Sequence, residues 1–455
     1  MKSKHNNRLD LLSDNGVSRR KMLQTLGATG FATTGLLTFA QDALAQGEVV
    51  LRWWSPQASP AQQATYKAQI ASFEALTPNV KVVFEPTSDE GYPAQFAAAF
   101  AAKQVPDIVT HLPSFAVQSY YAQGLVEPMD DVVAAIGLSK YFPGANDVYK
   151  TADGKLCGTG IGNTAADMLW VRKDLMQKAG IDQIPTTWDE LRSACKKMQG
   201  GGVFGAPLPY GLNSMTSLLI IGFIHRAGGQ IFSPNLDVAI NSDATLNALE
   251  FYKSMRELSP SGATSYSWGD SLTAFVSGAT ATGIYGGRVL ANINAQNPKN
   301  ADQITCATYP TMSKSIAPWT FNDFPSVFIP KGTRNLQASK QLAAYLFDAP
   351  GYIRQLLAAP GHVLPVLKTI AADTRYLDNP LIKKYRAEVE LMAGAAAAGH
   401  NLGYETPKHK SNRKAGEITS SNALAEMVQR VTLNDENPRK VVGETAKKLE
   451  NLMKS

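Results

Sequence analysis

The segments Gly154-Lys155-Leu156-Cys157-Gly158, Asn163-Thr164-Ala165-Ala166-Asp167-Met168-Leu169-Trp170-Val171-Arg172-Lys173-Asp174-Leu175, Ala179-Gly180 and Pro185-Thr186-Thr187-Trp188-Asp189-Glu190-Leu191 follow one another closely, and their reading decides the fold. Asp153-Gly154-Lys155 is a turn signal, because glycine takes positive φ without steric cost. Met168 to Val171 is an apolar run too short for a helix and bounded by polar residues, which predicts a buried strand. Lys173 to Ala179 predicts a helix stopped by Gly180. Thr187 with Glu190 three residues on forms a capping box for the next helix, and Pro185 keeps the chain from entering it as a continuous helix.

Upstream, Val49 to Trp54 reads as a strand broken by Ser55-Pro56, and Ala61 to Leu76 as a helix ending at Thr77-Pro78. Val80 to Phe84 is a second strand, Phe96 to Ala102 a helix and Val105 to Thr110 a third strand. This alternation predicts a parallel sheet with crossover helices. Ligands of such sheets sit beyond the carboxyl ends of the strands, here Trp53-Trp54-Ser55 with Gln57, and Thr110-His111. Downstream, Leu218 to Ile224 predicts a buried helix that runs past the lone Gly222, and Asn241-Ser242-Asp243 caps a helix over Ala244 to Leu258. Trp319 to Pro330 is a further crossing, followed by a helix from Leu336 to Phe347. The chain from Leu381 onward is mostly helical, with a basic polar loop at Thr406 to Lys414.

The chain of 455 residues has room for two domains with full cores. Its formal charge is +6, but six Lys/Arg and three Asp/Glu fall in the first 45 residues, which leaves +3 on the rest. That is too mild a surplus to point to nucleic acid. The three cysteines, Cys157, Cys195 and Cys306, are far apart and have no metal-ligand spacing. They are expected as structural thiols, with one optional disulfide as the alternative. Ser18-Arg19-Arg20-Lys21, a weakly apolar stretch from Leu26 to Phe39, and Ala43-Leu44-Ala45 before Gln46 read as an export signal over residues 1–45. The paired arginines resemble a twin-arginine signal. The mature chain is expected in the periplasm.

The order from Gly154 to Leu191 resembles extracellular solute-binding proteins of family 1, the maltose-binding-protein-like carbohydrate receptors of ABC importers. Ala101-Ala102-Lys103-Gln104-Val105-Pro106-Asp107-Ile108 and Gly124-Leu125-Val126-Glu127-Pro128 resemble the family's motifs as well, and Gly361-His362-Val363-Leu364-Pro365 resembles its Gly-x-x-Pro turn. Gly278 to Arg288 falls where the family has a Gly-x-Ala-Met…Gly-x-Trp motif. Thr282 and Arg288 replace the Met and the aromatic, which points away from a plain neutral-sugar stacking site. The resemblance implies a two-lobe periplasmic-binding-protein fold of type II, each lobe an α/β unit built on a mostly parallel sheet. The lobes are expected at 46–163 with 326–375 and at 164–325 with 376–455. Hinge closure over a sugar, oligosaccharide or polyol, delivery to an ABC permease, and a monomer without cofactor or metal are further implications.

No residue pattern for hydrolysis or phosphate cradling is found: G-x-S-x-G, H-E-x-x-H and the phosphate-binding glycine loop are all missing from the sequence. A carbohydrate-active enzyme using the same cleft is the alternative to a receptor, and would need two carboxyls facing across that cleft. Binding chemistry needs hydroxyl-matching donors and acceptors together with aromatic faces for sugar CH groups. Trp53, Trp54, Tyr210, Trp268 and Trp319 lie near predicted strand ends or crossings, each with core packing as its other use, while Trp170 and Trp188 are expected in the core. The candidate ligand contacts are Trp54, Gln57, His111, Asn163, Asp167, Tyr210, Asn213, Arg288, Trp319, Asp323 and Arg413. Asn163 and Asp167 flank the crossing and could instead be turn or cap residues. Arg288 at a strand end calls for a carboxylate or phosphate on the ligand, or else a bridge between the lobes.

Overall fold

The computed structural model describes residues 49–88 and 91–454. The export signal read over 1–45 lies outside the described residues. Ten strands follow in order: β1 Val49–Ser55, β2 Val80–Pro86, β3 Ile108–Thr110, β4 Thr159–Gly160, β5 Thr164–Ala165, β6 Met168–Arg172, β7 Thr282–Tyr285, β8 Ile304–Ala307, β9 Asn322–Asp323 and β10 Ser326–Phe328.

The first sheet has the order β2-β1-β3-β10-β4. β1 pairs in parallel with β2 and β3, and β10 returns antiparallel between β3 and β4. The crossovers are the helices Pro60–Leu76 and Tyr92–Ala101, the former begun by a capping box in which Ser59 and Gln62 bond reciprocally. Trp53 is wholly buried at the centre of this sheet. Its indole Nε1 donates to Thr110 Oγ1 at 2.9 Å, so the ring packs without an unpaired donor.

The second sheet has the order β7-β6-β8, with β6 antiparallel to both neighbours. This corrects the expected mostly parallel sheet in that lobe: parallel bridging in this half is limited to single bridges such as Thr187–Thr311 and Phe204–Thr280. The reason is physical. All five residues of β6 are buried, and a continuous apolar run reports cover on both faces but not the direction of its partners. Trp170 is fully buried in β6 and donates to the Tyr285 carbonyl at 3.0 Å. Trp188 follows the Thr187–Glu190 capping box and stacks on Phe251 at 4.5 Å between ring centres.

Helix Ser214–Arg226 is buried at every residue from Met215 onward and packs against helices Asp243–Ser254 and Ala423–Thr432. A helix apolar on all sides has to be enclosed this way. At Gly222, in its middle, a Cβ would stand 2.6 Å from the Arg226 guanidinium and 3.0 Å from the Asp167 carboxylate, so a larger residue would have to displace that ion pair. Cys157, Cys195 and Cys306 are free and buried. Burial pushes the Cys157 and Cys195 thiols up to about 12, and Cys306 further still. No described helix is long and apolar enough to cross a membrane.

Trp53→Ala is expected to cost about 3–5 kcal/mol in urea unfolding, because it opens a cavity in the first sheet and removes one of the two side-chain partners of Thr110 Oγ1. A loss below about 1 kcal/mol would show that the sheet does not depend on this ring.

Candidate ligand cleft

Between the two sheets runs a ribbon of two residue pairs, Thr164 with Asp323 and Ala165 with Asn322. Strand residues alternate in direction, and here the alternation separates two cavities. Thr164, Ala166, Phe321 and Asp323 line a cavity of about 600 Å³. Asn163, Asn322 and Phe324 line a second one of about 810 Å³, which also takes in Phe142, Leu364, His400 and Tyr404. The 600 Å³ cavity lies at the carboxyl ends of β1 and β3 and receives residues from both sheets, as a ligand site in an open α/β architecture should.

From the first sheet come Gln57 and His111. His111 adopts φ +66°, a left-handed conformation that is uncommon for a non-glycine residue. Its backbone N–H donates to the Ser326 carbonyl at 2.7 Å, which ties the end of β3 to β10. Its Nδ1 lies 3.0 Å from Thr110 Oγ1 and 3.3 Å from Ser55 Oγ. Thr110 Oγ1 already accepts from the Trp53 indole, which can only donate. The Thr110 hydroxyl proton is therefore free to point at Nδ1, and that assignment leaves the imidazole proton on Nε2. Burial, reinforced by the Arg288 guanidinium, lowers the His111 pKa to about 3 and keeps the ring neutral. Helices Tyr92–Ala101 and Ser114–Ala122 add Tyr92, Phe115 and Tyr120 to this wall.

The facing wall comes from the second sheet. Trp268 and Tyr285 meet edge to face with ring centres 5.5 Å apart, and the Trp268 Nε1–H donates to Ser214 Oγ at 3.3 Å. Arg288 opens the helix Arg288–Gln296 just past β7. One arm of its guanidinium donates to Gln57 Oε1, a direct hydrogen bond between the two walls. Its Nε is buried and without a partner among the described residues. Gly287 must be glycine here, since a Cβ would fall 1.8 Å from the Gly361 carbonyl oxygen.

Asp323 closes the base. Its Oδ1 accepts from Ser114 N–H at 3.0 Å, Ser114 Oγ at 2.7 Å and Asn401 Nδ2 at 3.3 Å. Burial outweighs these donors and lifts the carboxyl to about 7. Glu417, also on the cavity wall, is paired with Lys414 at 3.0 Å.

Of the residues singled out in the sequence, Gln57, His111, Arg288 and Asp323 meet in this cavity. The others are placed elsewhere. Trp54 is buried and its indole donates to Glu85 at 2.6 Å, as an in-sheet contact. Asn163 faces the other cavity and accepts from Asn322 Nδ2. Asp167 is wholly buried, bonded to Arg226 at 2.5 Å and to the Phe321 N–H at 2.8 Å. Arg226, in turn, lies 5.2 Å above Tyr309 and 6.0 Å above Trp319, so aromatic faces surround the remaining edge of the guanidinium. Tyr210 is a core residue donating to the Tyr252 carbonyl. Asn213 caps helix Ser214–Arg226 by accepting from Thr216 N–H at 3.2 Å. Trp319 stacks on His225 and donates to the Glu405 carbonyl. Arg413 has an exposed side chain, and its carbonyl accepts from Ser119. The lining residues not singled out, such as Tyr92, Tyr120 and Tyr285, sit on helices or at a strand end among small residues.

Two measurements follow from this geometry. Arg226→Met strands the Asp167 carboxylate in the core and is expected to cost about 3–5 kcal/mol, part of which Asp167→Asn in the same chain should restore. The raised Asp323 carboxyl makes the native state bind an extra proton between about pH 4 and 7, so its contribution favours folding at low pH and is lost as pH rises through about 7. The stability of the native chain minus that of Asp323→Asn should therefore fall from pH 5 to 7 and level off above 8. A difference that stays constant would mean that Asp323 is ionised throughout.

Comparisons with known proteins agree with this architecture. The sequence profile of the bacterial extracellular solute-binding proteins matches residues 57–353. A relative from Escherichia coli K12, named "Putative ABC transporter periplasmic-binding protein", is 22% identical over 86% of this chain and 90% of its own. An ABC transporter solute-binding protein from Thermotoga lettingae, solved with α-D-tagatose, superposes with a TM-score of 0.76 at 20% identity, over 89% of this chain and all of the other. One from Agrobacterium radiobacter, solved with ribitol, gives 0.75 at 20% identity, over 89% of this chain and 98% of the other. Two sheets joined by a ribbon, with a cleft at the strand ends and a family profile spanning most of the chain, place this protein among the bacterial extracellular solute-binding proteins.

Proposed function

We propose that the protein is the periplasmic receptor of an ABC importer, which closes two lobes over a sugar, oligosaccharide or polyol and presents it unchanged to a membrane permease. The observation that carries this reading is the 600 Å³ cavity whose opposite walls bring aromatic rings (Tyr92, Trp268, Tyr285) and hydrogen-bonding groups (Gln57, His111, Asp323) to one space. Such a mixture suits a ligand with apolar CH faces and hydroxyl edges. The tagatose- and ribitol-bound proteins of the same fold support this ligand class. The lobes divide at 163/164 and 325/326, the chain acts as a monomer, and it is exported by the twin-arginine route.

Closure works by differential contact: the ligand touches both walls only when they meet, and that difference shifts the equilibrium toward the closed form. The Arg288–Gln57 bond is part of the closed arrangement. The reading as a receptor and not an enzyme is supported by the cavity's carboxylates. Asp323 is held by Ser114 and Asn401, and Glu417 by Lys414.

Titration calorimetry against a panel of sugars and polyols, with product analysis of each mixture, tests the proposal. Binding without turnover, accompanied by a smaller radius of gyration in solution scattering, is expected. Chemical change of a bound ligand would overturn it. Trp268→Ala should weaken the bound sugar by roughly tenfold with an unchanged melting temperature; unaltered affinity would remove Trp268 from the site.

A further inference from the structure

The end of the cleft where its two walls meet has an unusual charge pattern. Arg288, His111 and His362 all line the cavity, and His111 and His362 also share a small side pocket against Tyr66 and Ile161. Among the described residues Arg288 forms no ion pair: its only side-chain partner is the neutral amide of Gln57. Two nitrogens of the group, Arg288 Nε and His362 Nδ1, are buried without any partner. An unpaired buried polar atom costs free energy, and a half-buried guanidinium whose partners are all neutral adds to that cost. Arg226 is the contrast in charge alone: two of its guanidinium nitrogens also lack hydrogen-bond partners, but the Asp167 carboxylate stands against it at 2.5 Å.

The backbone adds to the positive character of this end of the cleft. Arg288 begins a nine-residue helix whose first turn holds no acidic residue and whose cap, Gly287, offers no side-chain acceptor. The positive end of that helix is therefore not offset by the protein itself. With the Thr110 hydroxyl assigned as donor to His111 Nδ1, Nε2 of that ring is the donor. Burial, together with the neighbouring guanidinium, keeps both histidines below their ordinary values, as expected of imidazoles next to a cation that lacks a counter-ion. The carboxyls that do line the cavity, Asp323 and Glu417, are engaged by Ser114, Asn401 and Lys414.

We propose that the ligand carries an anionic group, a phosphate or a carboxylate, seated against Arg288, His111 and His362, while its hydroxylated body lies against Trp268 and Tyr285. This rests on the receptor reading above and narrows its ligand class from neutral sugars to sugar or polyol anions. Planar bidentate contact is what a guanidinium gives to either oxyanion. The missing counter-charge would then be supplied by the ligand, so that the closed form is fully paired only when loaded.

The test is titration calorimetry of the mature chain with matched sets: glucose, glucose 6-phosphate and glucuronate; glycerol, glycerol 3-phosphate and glycerate; and inorganic phosphate alone. An anionic member is expected to bind at least tenfold more tightly than its neutral parent, and the arm that responds separates phosphate from carboxylate. Arg288→Met should weaken the anion by about 10- to 100-fold, at least tenfold more than it weakens the neutral parent, and Arg288→Lys should recover part of the loss. Gln57→Ala, which cuts the contact between the walls but keeps the charge, should preserve the ratio of anion to neutral affinity. Neutral parents binding as tightly as both anions, or Arg288→Met weakening all members equally, would overturn the anion site and leave the receptor reading standing. Binding by no member, together with no small molecule retained by protein isolated from the native cell envelope, would instead overturn the receptor reading, and the anion site with it.

Discussion

A ribbon of two residue pairs has to join two sheets and also divide the space between them. Thr164–Ala165 against Asn322–Asp323 is too short to be stable as an isolated hairpin. It is fixed from outside, by two buried carboxylates at its edges. Asp167 accepts from the Phe321 backbone and pairs with Arg226, while Asp323 accepts from the start of helix Ser114–Ala122. One anchor fastens the ribbon to the second sheet's enclosed helix, the other to the first sheet's side. The ribbon's alternation then sends Thr164 and Asp323 into one cavity and Asn163 and Asn322 into the other.

The same constraint explains which parts of the site could be read from sequence. Gln57 and His111 follow β1 and β3, Arg288 follows β7, and a strand end in a twisted α/β sheet opens onto the cleft whatever the details of packing. Asn163 and Thr164 are neighbours of similar polarity, and a shift of one residue decides which cavity each faces. Asn213 illustrates a second ambiguity: a polar residue before an apolar run serves equally well as a cap or a contact, and here it caps. Tyr210 and Trp319 turned inward because buried aromatics with carbonyl partners satisfy their polar ends within the core. Tyr92 and Tyr120 were hidden among small residues on helices, where the face toward another lobe carries the same period as the face toward a core.

Secondary structure was legible wherever local chemistry settles it. The Thr187–Glu190 box and the Ser242 cap begin helices at the expected residues, because reciprocal side-chain bonds define a start independently of tertiary context. The direction of the second sheet was not, because β6 is buried on both sides and its partners arrive from more than a hundred residues downstream. Family resemblance supplied the two-sheet plan, but the pairing sense in the second half rests on the long connection that follows β6.

The three unpaired thiols have a consequence for the life of the chain outside the cytoplasm. Extracellular surroundings oxidise exposed cysteines and join mismatched pairs, yet each of these three is sealed inside packed hydrophobic side chains and held protonated by its surroundings. Only the thiolate attacks, so a folded molecule is inert toward disulfide exchange, and an unfolded one offers three reactive sulfurs at once. Completed folding thus doubles as chemical protection for all three sulfurs.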